Sequence, residues 1–90
     1  MNNQKPNANN WRRQGQERFL FGKKLFWRDY CLNSDRSNHD HCEFCGAKFS
    51  CEKGDLENGY ATEDGYHWIC KKCFEDFETE FCWKVGNYTK

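Results

Sequence analysis

Hydrophobic positions are sparse along this chain and come in short clusters, not long runs. The clearest period begins at about Lys71, where Phe74, Phe77 and Phe81 recur at i, i+3 and i+7 while Glu75, Asp76, Glu78 and Glu80 take the other faces. That pattern predicts a helix with one apolar stripe, and Glu75 and Asp76 suit the positive end of its dipole. Upstream, Tyr60-Ala61-Thr62 and Tyr66-His67-Trp68-Ile69 read as short strands joined by Glu63-Asp64-Gly65. An Asp-Gly step between β-prone runs predicts a hairpin. Gly54 to Gly59 predicts a loop, and Cys42-Glu43-Phe44-Cys45-Gly46 a tight turn.

The first half patterns less cleanly. Residues 1–10 are polar and Asn-rich, with nothing to bury, and are expected to be a disordered tail. Asn10 is placed to cap a helix from Trp11, along which Trp11, Arg18, Phe19 and Gly22 share a side, although Gly15 weakens it. Phe19-Leu20-Phe21 and Leu25-Phe26-Trp27 fit either a helix end followed by an extended segment or a hairpin. Asn33 to Asn38 predicts a loop. The chain thus divides into a tail (1–10), a basic aromatic segment with its loop (11–41) and a C-terminal unit (42–90).

Composition turns this pattern into a stability problem. Ninety residues make one domain at most, and the mean hydropathy is −1.16. The apolar material lies in rings, four Trp, four Tyr and eight Phe, while Leu20, Leu25, Leu32, Leu56, Ile69 and Val85 are the only Leu, Ile or Val residues. So small a core needs a staple, and the seven cysteines are the candidates. Met1 to Asn7 carries no signal-peptide h-region or cleavage site, and no apolar run approaches the roughly 20 residues of a membrane span. The expected compartment is therefore the reducing cytoplasm, where paired cysteines read as metal ligands.

Cys42/Cys45 and Cys70/Cys73 are two C-x-x-C pairs separated by 24 residues. Each pair can cover two vertices of a tetrahedron from one turn, so together they make a structural zinc site for a single Zn2+. Gly46 supplies the positive φ a knuckle needs after its second ligand. A thioredoxin-type redox pair accounts for Cys70/Cys73 at a strand-to-helix junction but leaves Cys42/Cys45 unexplained. Cys51 lies near enough in sequence to compete for a vertex, though a buried or half-exposed thiol is the plainer expectation. His41, next to Cys42, could orient a ligand or replace one, but a neighbouring donor or a surface residue is the plainer expectation, as it is for His39 and His67. Cys31 and Cys82 are expected to be small core residues.

Knuckle, hairpin, then a second pair on the first turn of a helix is the order seen in treble-clef zinc fingers, and Cys42 to about Trp83 resembles them. The zinc-binding domain of bacterial unfoldase chaperones, which binds partner proteins, is one example. The whole chain, through Trp11-Arg12-Arg13-Gln14-Gly15-Gln16-Glu17, His39-Asp40-His41-Cys42-Glu43-Phe44-Cys45 and Trp68-Ile69-Cys70, also resembles a family of small uncharacterised bacterial proteins. The implied fold is a small α+β unit, treble-clef-like, with the N-terminal segment packed on it.

Charge frames the function. Residues 1–28 carry seven Lys or Arg against Glu17 alone, while residues 29–90 carry seven basic and thirteen acidic groups. The halves either attract each other or leave the basic half for a polyanion. The first expectation is a protein–protein interaction module, using Glu75, Asp76, Glu78 and Glu80 with Tyr60, Tyr66 or Trp83. The alternative is RNA binding through Arg12, Arg13, Arg18, Lys23, Lys24 and Arg28 interleaved with Trp11, Phe19, Phe21, Phe26 and Trp27. Catalysis is not expected. Asp40-His41 beside a knuckle faintly resembles metal-dependent nucleases of the treble-clef class, but the helix after Cys73 offers no His or Asn to hold a catalytic metal. Neither a membrane nor a small-molecule substrate is evident.

Overall fold

A computed structural model describes residues 10–31 and 39–86. The expected tail, the loop at 33–38 and the chain end lie outside the described residues, apart from Asn10. In order, the elements are α1 (Glu17–Leu20), β1 (Lys24–Asp29), β2 (Asp40–His41), β3 (Lys48–Phe49), β4 (Asn58–Thr62), β5 (Trp68–Ile69), α2 (Lys71–Phe81) and β6 (Lys84–Gly86). This is the expected small α+β architecture of zinc knuckle, hairpin and C-terminal helix.

The main sheet runs β5-β4-β1-β6, antiparallel except for the parallel β1–β6 pair. The predicted hairpin is β4–β5. Its turn is closed by Gly65 N–H donating to Thr62 O at 2.8 Å and by the Thr62 hydroxyl donating to Asp64 at 2.6 Å. β2 and β3 form a separate two-stranded ribbon around the knuckle.

Alternation along the strands gives the sheet two ring clusters. Tyr60 stacks on Phe74 at 3.8 Å, and Phe74, Phe77 and Phe81 are all buried as their period predicts. Phe44 from the knuckle stacks on Phe77 at 4.7 Å, and Trp83 completes this cluster. Trp68, whose register partner is Ala61 and not Tyr60, points the other way. It meets Tyr30 at 4.9 Å and Phe49 at 5.2 Å. Gly59 makes that second cluster feasible: a Cβ there would lie 2.6 Å from the Phe49 ring and 3.0 Å from the Ile69 carbonyl.

The N-terminal expectation needs correction. Asn10 does not cap a helix: it accepts from Arg12 N–H at 3.0 Å, but the residues after it form turns, and the N-terminal helix is confined to Glu17–Leu20, with Gln16 at its N-cap. Gly15, at φ +89°, breaks it earlier than the side-chain pattern suggested. Residues 19–29 take the first of the two readings, a helix end followed by a strand.

Helix α2 ends at Cys82, in the left-handed region at φ 56°. Cys82 N–H bonds to Thr79 O and Trp83 N–H to Glu78 O, the pair of bonds that makes a Schellman stop. This overturns two expectations. Cys82 is exposed and not a core residue, because the reversal turns its side chain outward; Trp83 is buried and not a surface ring, its indole N–H donating to Leu20 O at 2.9 Å.

Cys31 departs further from expectation. Lying just past the end of β1, it is bonded to Cys51 in a disulfide with Cα atoms 5.5 Å apart, and both residues are half-buried. Among the described residues no helix is long and apolar enough to cross a membrane.

Candidate metal centre

The knuckle follows β2. Cys42 N–H donates to Ala47 O at 2.8 Å and Gly46 N–H to Cys42 O at 3.1 Å, closing the turn, with Gly46 at φ +80° as expected. The second pair comes from α2. Cys70 is its N-cap and Cys73 lies in its first turn, so the helix start itself sets their spacing. Glu43 N–H donates to Trp68 O at 2.9 Å, joining the knuckle to β5 and setting the two pairs face to face.

All four sulfurs lie within 4.8 Å of one another, and Cys45 Sγ is 3.7 Å from Cys70 Sγ. A tetrahedron with Zn–S bonds of about 2.3 Å has edges of about 3.8 Å. The donor set and its spacing therefore fit one zinc ion, and equally a cation of similar size and softness. Cys42, Cys70 and Cys73 are buried and Cys45 is half-buried. Cys51 and His41 do not join this cluster: the sulfur of Cys51 is bonded to Cys31, and His41 is exposed.

Backbone and side-chain donors prepare the site for negative charge. Phe44 N–H and Cys70 N–H each donate to Cys42 Sγ at 3.4 Å, and Cys73 N–H to Cys70 Sγ at 3.4 Å. Without metal, hydrogen bonds from the Cys70 and Cys73 side chains hold the Cys42 thiol below its usual range. The reverse applies to its donors. Their bonds to Cys42 push Cys70 up to about 11 and push Cys73 up as well. Four thiolates so close repel strongly, and a divalent cation removes that repulsion by displacing the remaining protons.

Two residues that the spacing of cysteines does not reveal hold this centre. Arg12 Nη1 donates to Cys73 Sγ at 3.3 Å and to Asp76 at 2.9 Å, and its guanidinium lies 4.8 Å from the Phe77 ring centroid. It places positive charge beside a cluster that is formally doubly negative when zinc is bound. Burial raises Asp76, but bonds from Arg12 and Lys72 outweigh it and hold the carboxyl below its ordinary value. Buried Gln16 donates from one amide nitrogen to Arg12 O at 2.7 Å and Glu43 O at 2.8 Å, and accepts from Gln14 N–H at 2.7 Å. It thereby clamps the N-terminal segment to the knuckle. Both residues fall in the Trp11–Glu17 motif, but nothing local says what they touch.

No family model matches the chain, and neither the curated proteins nor the solved structures contain a match. The cysteine centre thus stands on its geometry, and the resemblance to a family of small bacterial proteins gains no support.

His67 pairs with Glu43 at 2.7 Å and stacks on Phe19 at 4.6 Å, so it braces the knuckle from outside the sulfur cluster. His39, just before β2, and His41 on it meet edge to face at 5.2 Å. The charge asymmetry resolves in part as an internal interface. Arg12 pairs with Asp76, Arg13 with Glu80 at 2.6 Å, and Arg28 donates to Glu63 O. The rings do not all follow. Phe26 is buried, whereas Trp11, Phe19, Phe21 and Trp27 remain exposed.

Proposed function

We propose that the chain is a structural zinc module of the treble-clef type, acting as a platform for a partner protein. The observation that carries this reading is the closed set of four cysteine sulfurs within 4.8 Å. Zinc held by four thiolates has no position left for water or substrate, which favours a structural ion over a catalytic one. Knuckle, hairpin and helix-borne second pair, in that order, support the treble-clef assignment.

The contact surface in this reading differs from the acidic helix face, because Asp76 and Glu80 already bind Arg12 and Arg13. It is instead the row Phe19, His67 and Tyr66, with ring centroids 4.6 and 4.8 Å apart. Tyr66 is 72% exposed, and exposed aromatic side chains are common anchors of protein interfaces. The row borders a groove of about 420 Å³ that is also lined by Lys23, Lys24, Glu63 and Asp64. The test compares proteins captured by zinc-loaded wild type with those captured by Phe19→Ser/Tyr66→Ser of equal zinc content. Partners lost with the two rings support the reading; identical capture overturns it.

A second reading, single-stranded RNA, rests on a narrower observation. Lys24 and Lys84 are register partners on β1 and β6, Lys23 is adjacent, and none of the three pairs with a carboxylate among the described residues. With exposed Phe19 and Phe21 they offer cations beside stacking rings. RNA affinity that falls with salt and with Lys23→Gln/Lys24→Gln/Lys84→Gln supports it, and salt-independent or absent binding removes it.

A further inference from the structure

We propose that Cys31 and Cys51 are a reversible redox pair, a modification site separate from the zinc thiolates. A glutathione-class disulfide closes it and glutathione reopens it. Their Cα separation of 5.5 Å is within the ordinary disulfide range, so the backbone accepts the bond. Both residues are half-buried, which leaves a path for an attacking thiol, whereas Cys42, Cys70 and Cys73 are buried and the half-buried Cys45 would be engaged by the metal.

Each end of the pair is held by bonds that do not involve the disulfide. Cys31 N–H donates to Asp29 Oδ1 at 2.9 Å. Beside Cys51, the Ser50 hydroxyl accepts from Glu52 N–H at 2.9 Å and donates to Asp55 at 2.7 Å. Opening the bond therefore leaves two thiols still facing each other. Cys31 Sγ also lies 3.7 Å from Ser50 O, which gives the reduced thiol an acceptor. Neither sulfur belongs to the four-sulfur cluster, so neither redox state takes a ligand from zinc.

The step balances within named reagents. The thiolate of either cysteine attacks glutathione disulfide, forming a mixed disulfide and releasing one glutathione. The other cysteine then attacks the protein sulfur of that mixed disulfide, closing Cys31–Cys51 and releasing the second glutathione. Two thiols are oxidised, one glutathione disulfide is reduced, and the two thiol protons end on the two glutathiones. Closure ties the end of β1 to the chain after β3 by bonding residues 20 positions apart, which restricts the unfolded chain.

The test uses the full-length zinc-loaded protein equilibrated in glutathione buffers from reducing to oxidising, then alkylated and mapped by peptide mass. The expected result is a single transition in which the Cys31 and Cys51 peptides become linked and lose two hydrogens. Zinc stays at one per chain and added glutathione reverses the change. Three results overturn the proposal: both cysteines still alkylated, or glutathionylated separately, at the oxidising end; a bond that opens only in denaturant; or zinc release in step with oxidation. Mapping the wild type needs no substitution. As a second arm, closure raises Tm by on the order of 10 °C, and this gap disappears in Cys31→Ser/Cys51→Ser. A gap that persists in that variant also overturns the proposal.

Discussion

The two faces of the main sheet solve one problem with different chemistry. On the helix face, Phe44, Phe74 and Phe77 cluster with Tyr60, and the metal ligands adjoin them in sequence: Cys45 follows Phe44 and Cys73 precedes Phe74. On the other face, Tyr30, Phe49 and Trp68 cluster, and the disulfide cysteines adjoin them in the same way: Cys31 follows Tyr30 and Cys51 lies two beyond Phe49. A polar chain that buries rings instead of aliphatic runs has too little local structure to fix those rings. Each cluster is therefore flanked by a cross-link. The faces differ in how much they depend on it. The metal site draws in the knuckle, the helix start and Arg12, whereas the disulfide joins two segments already held by backbone and side-chain bonds.

That asymmetry orders the expected effects. Removing the proposed zinc by chelation, or Cys73→Ser, is expected to abolish cooperative folding of the helix face, since structural zinc supplies about 10–16 kcal/mol of apparent folding free energy in small peptides. Circular dichroism melts and amide dispersion with and without chelator measure it, and a dispersed, cooperative apo protein contradicts the account. Arg12→Gln leaves Asp76 and Cys73 without their shared donor and costs about 1.5–3 kcal/mol. It also hastens zinc loss to a competing chelator; unchanged transfer kinetics make Arg12 a packing residue only.

Phe77→Leu and Phe49→Leu each cost about 1–2 kcal/mol by urea denaturation. The sharper quantity is their coupling. If the faces are independent, the double variant adds to within about 0.5 kcal/mol, and a larger coupling merges the two clusters into one. The smallest effect is alkaline. Burial and then the hydrogen bond to Asp40 at 2.8 Å push Tyr30 up to about 12. A folded pKa above the ordinary 10 means this group's stabilisation is complete below pH 10 and is lost as the pH rises toward 12. Absorbance at 295 nm should show a late tyrosine step that Tyr30→Phe removes, beside that of Tyr60, which burial and then the charges of Glu75 and Glu78 also raise.

The sequence alone carried the four-cysteine set, the hairpin and helix α2. Each is a short-range matter: two cysteines three apart reach one cation from a single turn, Asp-Gly reverses a strand, and a 3.6-residue period marks a buried stripe. Only the tertiary structure decided that Cys31 meets Cys51, that Arg12 reaches Cys73 across 61 positions, and that Trp83 is buried while Phe21 and Tyr66 are not. In a chain whose apolar content is mostly rings, local pattern does not say which sheet face or which side of a helix stop a ring will take. Strand register and the Schellman reversal at Cys82 made that choice, and both depend on contacts between residues far apart in sequence.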